Sequence, residues 1–204
     1  MKKKKIQLNL GCGVYWAKDF INVDNWIDEK LARKKKGIYG QAVIQPGSKF
    51  MKGDMLKLPF PDNYADYIEC HDAIEHIPMM DVQTAVDEMY RVLKPGGKVL
   101  IVTVDFNDVA RKWLENVDDM HFDMMKFIDE ATTVYGRQIT QGDFHRCPFT
   151  PFFMNFLMSK AGFKSPKIVI VKRGFGPPPG LLKAIKYGKN AKLKHNMLYG
   201  EAVK

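Results

Sequence analysis

The apolar positions of the chain switch repeatedly between a two-residue repeat, which marks strands, and a three-to-four-residue repeat, which marks helices. Lys5–Leu10 is a strand candidate that runs into Gly11-Cys12-Gly13, and Phe20–Asp24 is a second short apolar run that ends in an acid. Lys49–Asp54, Ala65–Cys70, Lys98–Val104, Lys167–Lys172 and Met197–Val203 read as further strands, the last as an edge strand. Lys98–Val104 (KVLIVTV) is apolar without alternation, which predicts a central strand covered on both faces. Between these runs, Met80–Leu93 places Val82, Ala85, Val86, Met89, Tyr90 and Leu93 on one helical face. Asp28–Lys36, Asn107–Glu115, Asp123–Tyr135 and Thr150–Ala161 are also predicted helices. Thr150 caps the last of these, with Pro151 at its first position and Gly162 after its end. Lys94-Pro95-Gly96-Gly97 stops a helix and leads into a strand, whereas Gly37–Ser48 fits neither pattern. This alternation predicts an α/β chain with helices on both faces of the sheet.

Composition narrows the setting. The 204 residues suit one domain with its own core. No apolar run reaches transmembrane length. Met1–Lys5 resembles the basic start of a signal peptide, but Ile6–Gly13 is too short and too polar for its apolar region, so a cytoplasmic protein is expected. The cysteines Cys12, Cys70 and Cys147 are odd in number and irregularly spaced, which argues against a disulfide framework. Cys70-His71 and His145-x-Cys147 are weak metal pairs, and no metal is expected. The net charge of +9 is terminal: Lys2–Lys5 contribute four positive charges, and 167–204 carry nine Lys/Arg against one Glu, leaving 6–166 slightly acidic. Such termini could contact a polyanion. They lack interleaved aromatics and a recognisable nucleic-acid motif, which favours a solubilising surface.

Several short segments carry candidate chemistry. Gly11-Cys12-Gly13 after a strand lets the backbone turn sharply and a ligand approach without a Cβ in the way. Any tight strand-to-helix turn can produce the same GxG. Asp24, at the end of the second strand, can accept hydrogen bonds from ribose hydroxyls, or be a surface acid before a turn. It lies eleven residues after Gly13, which leaves room for only a short connecting helix. Gly53-Asp54-Met55 can flank an adenine, Asp54 accepting from its exocyclic amine, or be an ordinary loop. Cys70-His71-Asp72-Ala73-Ile74-Glu75-His76 gathers titratable groups at a strand's carboxyl end, where ligands bind. The alternative for Glu75 and His76 is that they pair with each other or cap the next helix. Arg91–Gly97 (RVLKPGG) reads as structural.

Taken in order, LNLGCG, FINVD, GDMLKLPFPDNYAD, DAIEH and RVLKPGG resemble the class I S-adenosylmethionine-dependent methyltransferases, in particular the type 11 group, over about residues 6–104. The nicotinamide fingerprint would place a glycine where this chain has Trp16. The resemblance implies a Rossmann-like, doubly wound sheet of seven strands, mostly parallel with the last strand antiparallel, and S-adenosylmethionine as cofactor. It implies that Gly11, Cys12 and Gly13 line the methionine moiety. Asp24 would bind ribose, with the adjacent Asn25 also among the cofactor-binding residues, Asp54 and Met55 would hold adenine, and His71 would lie beside the sulfonium. Asn9 stands where many relatives have an acid that helps bind the cofactor's amino group. The thirty residues between Asp24 and Asp54 exceed the family's usual spacing, so 28–48 is expected to form an excursion.

The domain plan is therefore a cofactor half (6–104), acceptor-covering helices and loop (105–165), and two final strands with a basic tail (166–204). Methyl transfer from a sulfonium is an in-line displacement that chiefly demands alignment and exclusion of water. A hydroxyl or amine acceptor also needs a base. His145, in the covering loop, is the first candidate. His71 and Asp105, at the carboxyl ends of the fourth and fifth strands, follow, and His121 and His195 are read as bystanders. Alternatively, His145 is a loop histidine with a structural hydrogen bond. The expected function is methyl transfer to an O or N atom of a small molecule or sugar. An RNA methyltransferase or nucleic-acid binder, and an adenosylmethionine-binding protein without methyl transfer, are the alternatives. The oligomeric state is open, and a homodimer is compatible with the C-terminal edge strand.

Overall fold

The computed structural model describes residues 4–27, 43–117, 124–138, 141–172, 174, 180 and 195–204. The sheet strands are β1 (Gln7–Leu10), β3 (Ile21–Asp24), β5 (Lys49–Lys52), β6 (Ala65–His71), β7 (Leu93–Val104), β8 (Lys164–Val171) and β9 (Met197–Val203). They form one seven-stranded sheet of order β5-β3-β1-β6-β7-β9-β8. All pairs are parallel except those of β9, which runs antiparallel between β7 and β8. This is the Rossmann-like α/β arrangement, with strand order reversing at β1 and β6. The last strand is therefore interior, not an edge. The edge falls to β8, where Pro166 and the lysines at 164 and 167 discourage further strand addition.

Side chains alternate across β6 and β7 and fill both faces. Ile68, Cys70, Val99 and Ile101 join the main core beneath helices α1 (Val82–Val92) and α4 (Pro151–Ala161). Leu100 and Val102 turn to the other face, with Met197, Tyr67 and Tyr199. Val99 to Thr103 are all buried, which explains the unbroken apolar run. Helix α1 buries Val82, Ala85, Val86 and Met89, each large side chain contributing about 1.5–3 kcal/mol over its exposed state. It begins two residues after Met80 because Asp81 N–H bonds the Pro78 carbonyl in a preceding turn. Helix α4 has the expected ends: Thr150 Oγ1 accepts from Phe153 N–H, and Gly162 takes φ +103. Helices α2 (Phe106–Val117) and α3 (Met124–Tyr135) also lie close to the expected bounds.

Two local features depart from expectation. No helix connects Gly13 to Asp24. Instead, β2 (Tyr15–Trp16) pairs with β4 (Val43–Ile44) in a separate parallel ribbon. Buried Trp16 stacks on Phe50 at 4.7 Å. Buried Asn22 accepts from Ala17 N–H and donates to the Ala17 and Lys49 carbonyls, so side chains satisfy backbone groups that a helix would satisfy itself. The second feature is KPGG, which stays within β7 as an irregularity: Ala65 pairs with Leu93 and Tyr67 with Lys98. Arg91 braces the LPFPD loop, donating to the Leu58 and Phe60 carbonyls and pairing with Asp62 and Glu88. The predicted helix at 28–36 lies outside the described residues.

Candidate active site

A cavity of about 820 Å³ opens beyond the carboxyl ends of β1, β3 and β6, where the strand order reverses. Its size is at the upper end of small-molecule sites, roughly 300–1,000 Å³. Gly11, Gly13, Asp24, Asn25, Asp54 and Met55, the residues expected to meet the cofactor, line it. Gly11 needs its glycine: it takes φ +61, and a Cβ would overlap that of Ala73. Asp24 ties part of this lining together. One carboxylate oxygen accepts from Gly13 N–H at 2.8 Å, the other from Trp26 and Ile27 N–H at 2.8 and 3.0 Å. A carboxylate has about four acceptor positions, so one is left for a ligand hydroxyl. Asp54 accepts from Leu56 N–H and Asn25 Nδ2. Met55 lies between Gly11 and the Cys70 thiol.

DAIEH starts against Gly11 at Ala73 and carries Glu75 and His76 to the loop predicted to cover the site. The 3₁₀ turn Ile74–His76 follows β6 directly. The Glu75 carbonyl accepts from both Arg146 and Cys147 N–H, pinning the loop to the turn. Burial and the neighbouring Glu75 carboxylate push the Cys147 thiol up to about 11. Gly136, at φ +78, lets the Asp143–His145 backbone approach the end of α3. The His145 ring meets that of His76 edge-on at 4.9 Å. His145 Nδ1 lies 2.8 Å from the Thr133 carbonyl, and His76 Nδ1 lies 3.0 Å from the Phe144 carbonyl. A carbonyl only accepts, so both Nδ1 atoms carry the proton and each neutral ring keeps its lone pair on Nε2. Glu75 is 3% exposed and its Oε2 has no hydrogen-bond partner among the described residues. Glu75 and His76 neither bond each other nor cap α1, whose first turn has no side-chain cap.

The cavity lining brings His145 together with Gly11, Gly13, Asp24, Asn25, Asp54 and Met55. Asn9, Cys12, His71 and Asp105 are not in its lining. Asn9 is fully buried and its Nδ2 donates to the Tyr15 carbonyl and Asn22 Oδ1, while its Oδ1 has no partner among the described residues. The Cys12 side chain packs with Trp16 under Ile27, Ile44 and Phe50. Side-chain alternation along β6 turns His71 to the opposite face, where its Nε2 lies 2.9 Å from Glu69 and Tyr67 donates to the same carboxylate. Its successor, Asp72, reaches the cavity through a left-handed backbone, φ 48. Asp105 accepts from Asn107 N–H at the start of α2, and burial raises its carboxyl above the ordinary range. Sequence reasoning did not single out Tyr15, read His195 as a bystander, and included Asp72 only as one of the titratable groups after the fourth strand. Burial raises the Tyr15 phenol, and His195 bonds Thr133. Clustering within DAIEH was the one available signal, for Asp72. Six carboxylates line the cavity against the guanidiniums of Arg137 and Arg146, a surplus that favours a cationic ligand such as a sulfonium.

The comparisons agree with this geometry. Residues 8–101 match the family described as Methyltransferase domain, of type 11. A demethylmenaquinone methyltransferase of Geobacillus sp. (strain WCH70) is 44% identical over 52 residues, covering 26% of this chain and 21% of that protein. A ubiquinone/menaquinone biosynthesis C-methyltransferase of Rickettsia bellii (strain OSU 85-389) is 33% identical over 90 residues, 44% of this chain and 35% of that protein. The solved structure of a SAM-dependent methyltransferase from Methanosarcina mazei superposes with a TM-score of 0.62 at 16% identity, covering 100% of this chain and 94% of that one. Just under half of the chain therefore matches the type 11 methyltransferase domain, and the chain as a whole takes a fold found in solved SAM-dependent methyltransferases. The matched segments span about a fifth to a third of those two curated relatives. Among the described residues no helix is long and apolar enough to cross a membrane.

Proposed function

We propose that the protein acts in the cytoplasm as an enzyme that moves the methyl group of S-adenosylmethionine to an O or N atom of a small molecule held at the DAIEH end of the cavity. The observation that carries this reading is His145, whose Nδ1–H is fixed on the Thr133 carbonyl so that its Nε2 lone pair is free to act as a base. The acceptor's lone pair attacks the methyl carbon, the C–S electron pair returns to sulfur, and the acceptor's proton passes to His145. S-adenosylhomocysteine is the second product. In this reading Asp24 holds the ribose, Asp54 and Met55 the adenine, and the loop of residues 141–147 keeps water from the acceptor.

The relatives named for carbon methylation make that the competing outcome. The test is to incubate the protein with methyl-13C-labelled S-adenosylmethionine and a metabolite extract, then read the 13C shift of each new methyl. O- or N-methyl signals that fall about 100-fold or more in His145→Ala are expected. The substitution should leave S-adenosylhomocysteine affinity unchanged. A methyl on carbon, or label recovered only in RNA, refutes the reading.

A further inference from the structure

We infer that Glu75, His76 and His145 form a binding site for one divalent first-row transition ion at the acceptor end of the cavity. One donor atom from each of the three lies within 4.8 Å of the other two. Two imidazoles and a carboxylate are a ligand set that such ions favour. Three independent features mark the cluster as more than a chance grouping.

The first is the orientation of the rings. A histidine that ligates a metal usually donates its other ring N–H to a carbonyl or carboxylate, which fixes its tautomer and aims its lone pair. Both histidines do so, His76 to the Phe144 carbonyl and His145 to the Thr133 carbonyl. The second is Glu75. Its carboxylate is almost wholly withdrawn from water, yet Oε2 has no hydrogen-bond partner among the described residues. An isolated buried carboxylate is costly unless a cation or a proton neutralises it. The third is the backbone that binds the three residues together. The Glu75 carbonyl accepts from Arg146 and Cys147 N–H, so the turn carrying two ligands is tied to the loop carrying the third. The weak pairs visible in the sequence are not the ones assembled: His71 faces Glu69 on the other side of the sheet, and Cys70 contacts Met55.

An ion about 2.1 Å from each donor requires donor spacings of about 3–3.5 Å, so the cluster closes by up to about 1.8 Å around it. All three residues line the cavity, so the remaining coordination positions face the acceptor. There the ion lowers the pKa of an acceptor oxygen, which binds as its anion with its proton released to water. His145 is a ligand only while the ion is bound; in the metal-free protein it remains the base. The assignment of this role rests on the methyl-transfer reading; the site itself rests on the geometry alone.

The test is titration of the untagged, chelator-treated protein with Co²⁺, followed by visible d–d absorption, and with Zn²⁺ against a chromophoric chelator. S-adenosylhomocysteine binding is measured on the same samples by calorimetry. One equivalent of ion per chain is expected. His145→Ala, Glu75→Gln and His76→Gln should each weaken metal binding by at least about tenfold while still binding S-adenosylhomocysteine, which also shows that they fold. Absence of metal binding in protein that binds S-adenosylhomocysteine overturns the site. So does binding that none of the three substitutions weakens. Metal binding as expected, without S-adenosylhomocysteine binding, supports the site and sinks the cofactor reading instead.

Discussion

Asp24→Asn replaces one carboxylate oxygen with an NH₂ group and separates the two duties given to this carboxylate. In the folded chain it accepts three backbone N–H groups, from Gly13 on one oxygen and from Trp26 and Ile27 on the other. Hydrogen bonds to a charged acceptor are worth about 1.5–3 kcal/mol each. Asparagine keeps one oxygen, which can hold Trp26 and Ile27, and turns an NH₂ group toward Gly13 N–H. Donor then faces donor, so stability falls by about 2 kcal/mol, roughly 4–8 °C in Tm for a chain of this size. The cofactor loses more. The glycine loop is no longer held, and a ribose hydroxyl meets an amide in place of a carboxylate. Two such losses amount to about 3–4 kcal/mol, or roughly 10²–10³-fold in Kd. Differential scanning fluorimetry reads the first quantity and calorimetric titration with S-adenosylhomocysteine the second. A Tm fall with affinity held within about threefold of the unsubstituted protein would refute the ribose role and leave Asp24 as a loop brace.

Gly136→Ala places a Cβ against the Asp143 carbonyl and 2.9 Å from His145 N, on a backbone at φ +78. The left-handed conformation alone costs about 1–2 kcal/mol, and the covering loop must move. Methyl transfer should fall at least about tenfold while S-adenosylhomocysteine affinity changes by less than about threefold; equal losses in both would show that the loop holds the cofactor too. The Arg91 side chain holds the Glu88 carboxyl below the ordinary range. That stabilisation is complete above the unfolded pKa of about 4.3 and is lost as pH falls through the lower folded value. Urea unfolding between pH 3 and 5 should therefore show a shallower loss of stability in Arg91→Met, by less than one proton, under about 1.4 kcal/mol per pH unit. An unchanged slope would show that Glu88 takes no support from Arg91.

Much of the fold was legible because strand burial writes directly into composition. Val99–Thr103 are buried on both faces and read as an unbroken apolar run, and α4 carried its cap, its proline and its terminal glycine in plain view. What misled was the link between β1 and β3. Eleven residues suggest a helix, but the decision lies with Asn9 and Asn22, whose side chains bond backbone groups distant in sequence. A pattern of apolar positions does not register such bonds. The same limit misplaced β9, since nothing in MLYGEAV tells an edge from an interior position; that follows from its pairing with both β7 and β8.

The site divides along a similar line. Its cofactor end comes from residues that follow strands directly, so position along the chain nearly determines position in space. His71 and Asp72 show where that rule stops. One residue of strand alternation sends His71 into a buried pair with Glu69, and a left-handed backbone brings Asp72 back to the cavity. At the acceptor end, Glu75 and His145 are seventy residues apart and meet through main-chain bonds that any sequence can make. That also fits where the family match falls, over residues 8–101. A shared cofactor imposes the same glycines and acids on the first half, whereas the acceptor end answers to whichever molecule is methylated. The chemistry specific to this chain is therefore to be sought around Glu75, His76 and His145, where the backbone brings a buried carboxylate and two oriented imidazoles to one wall of the cavity.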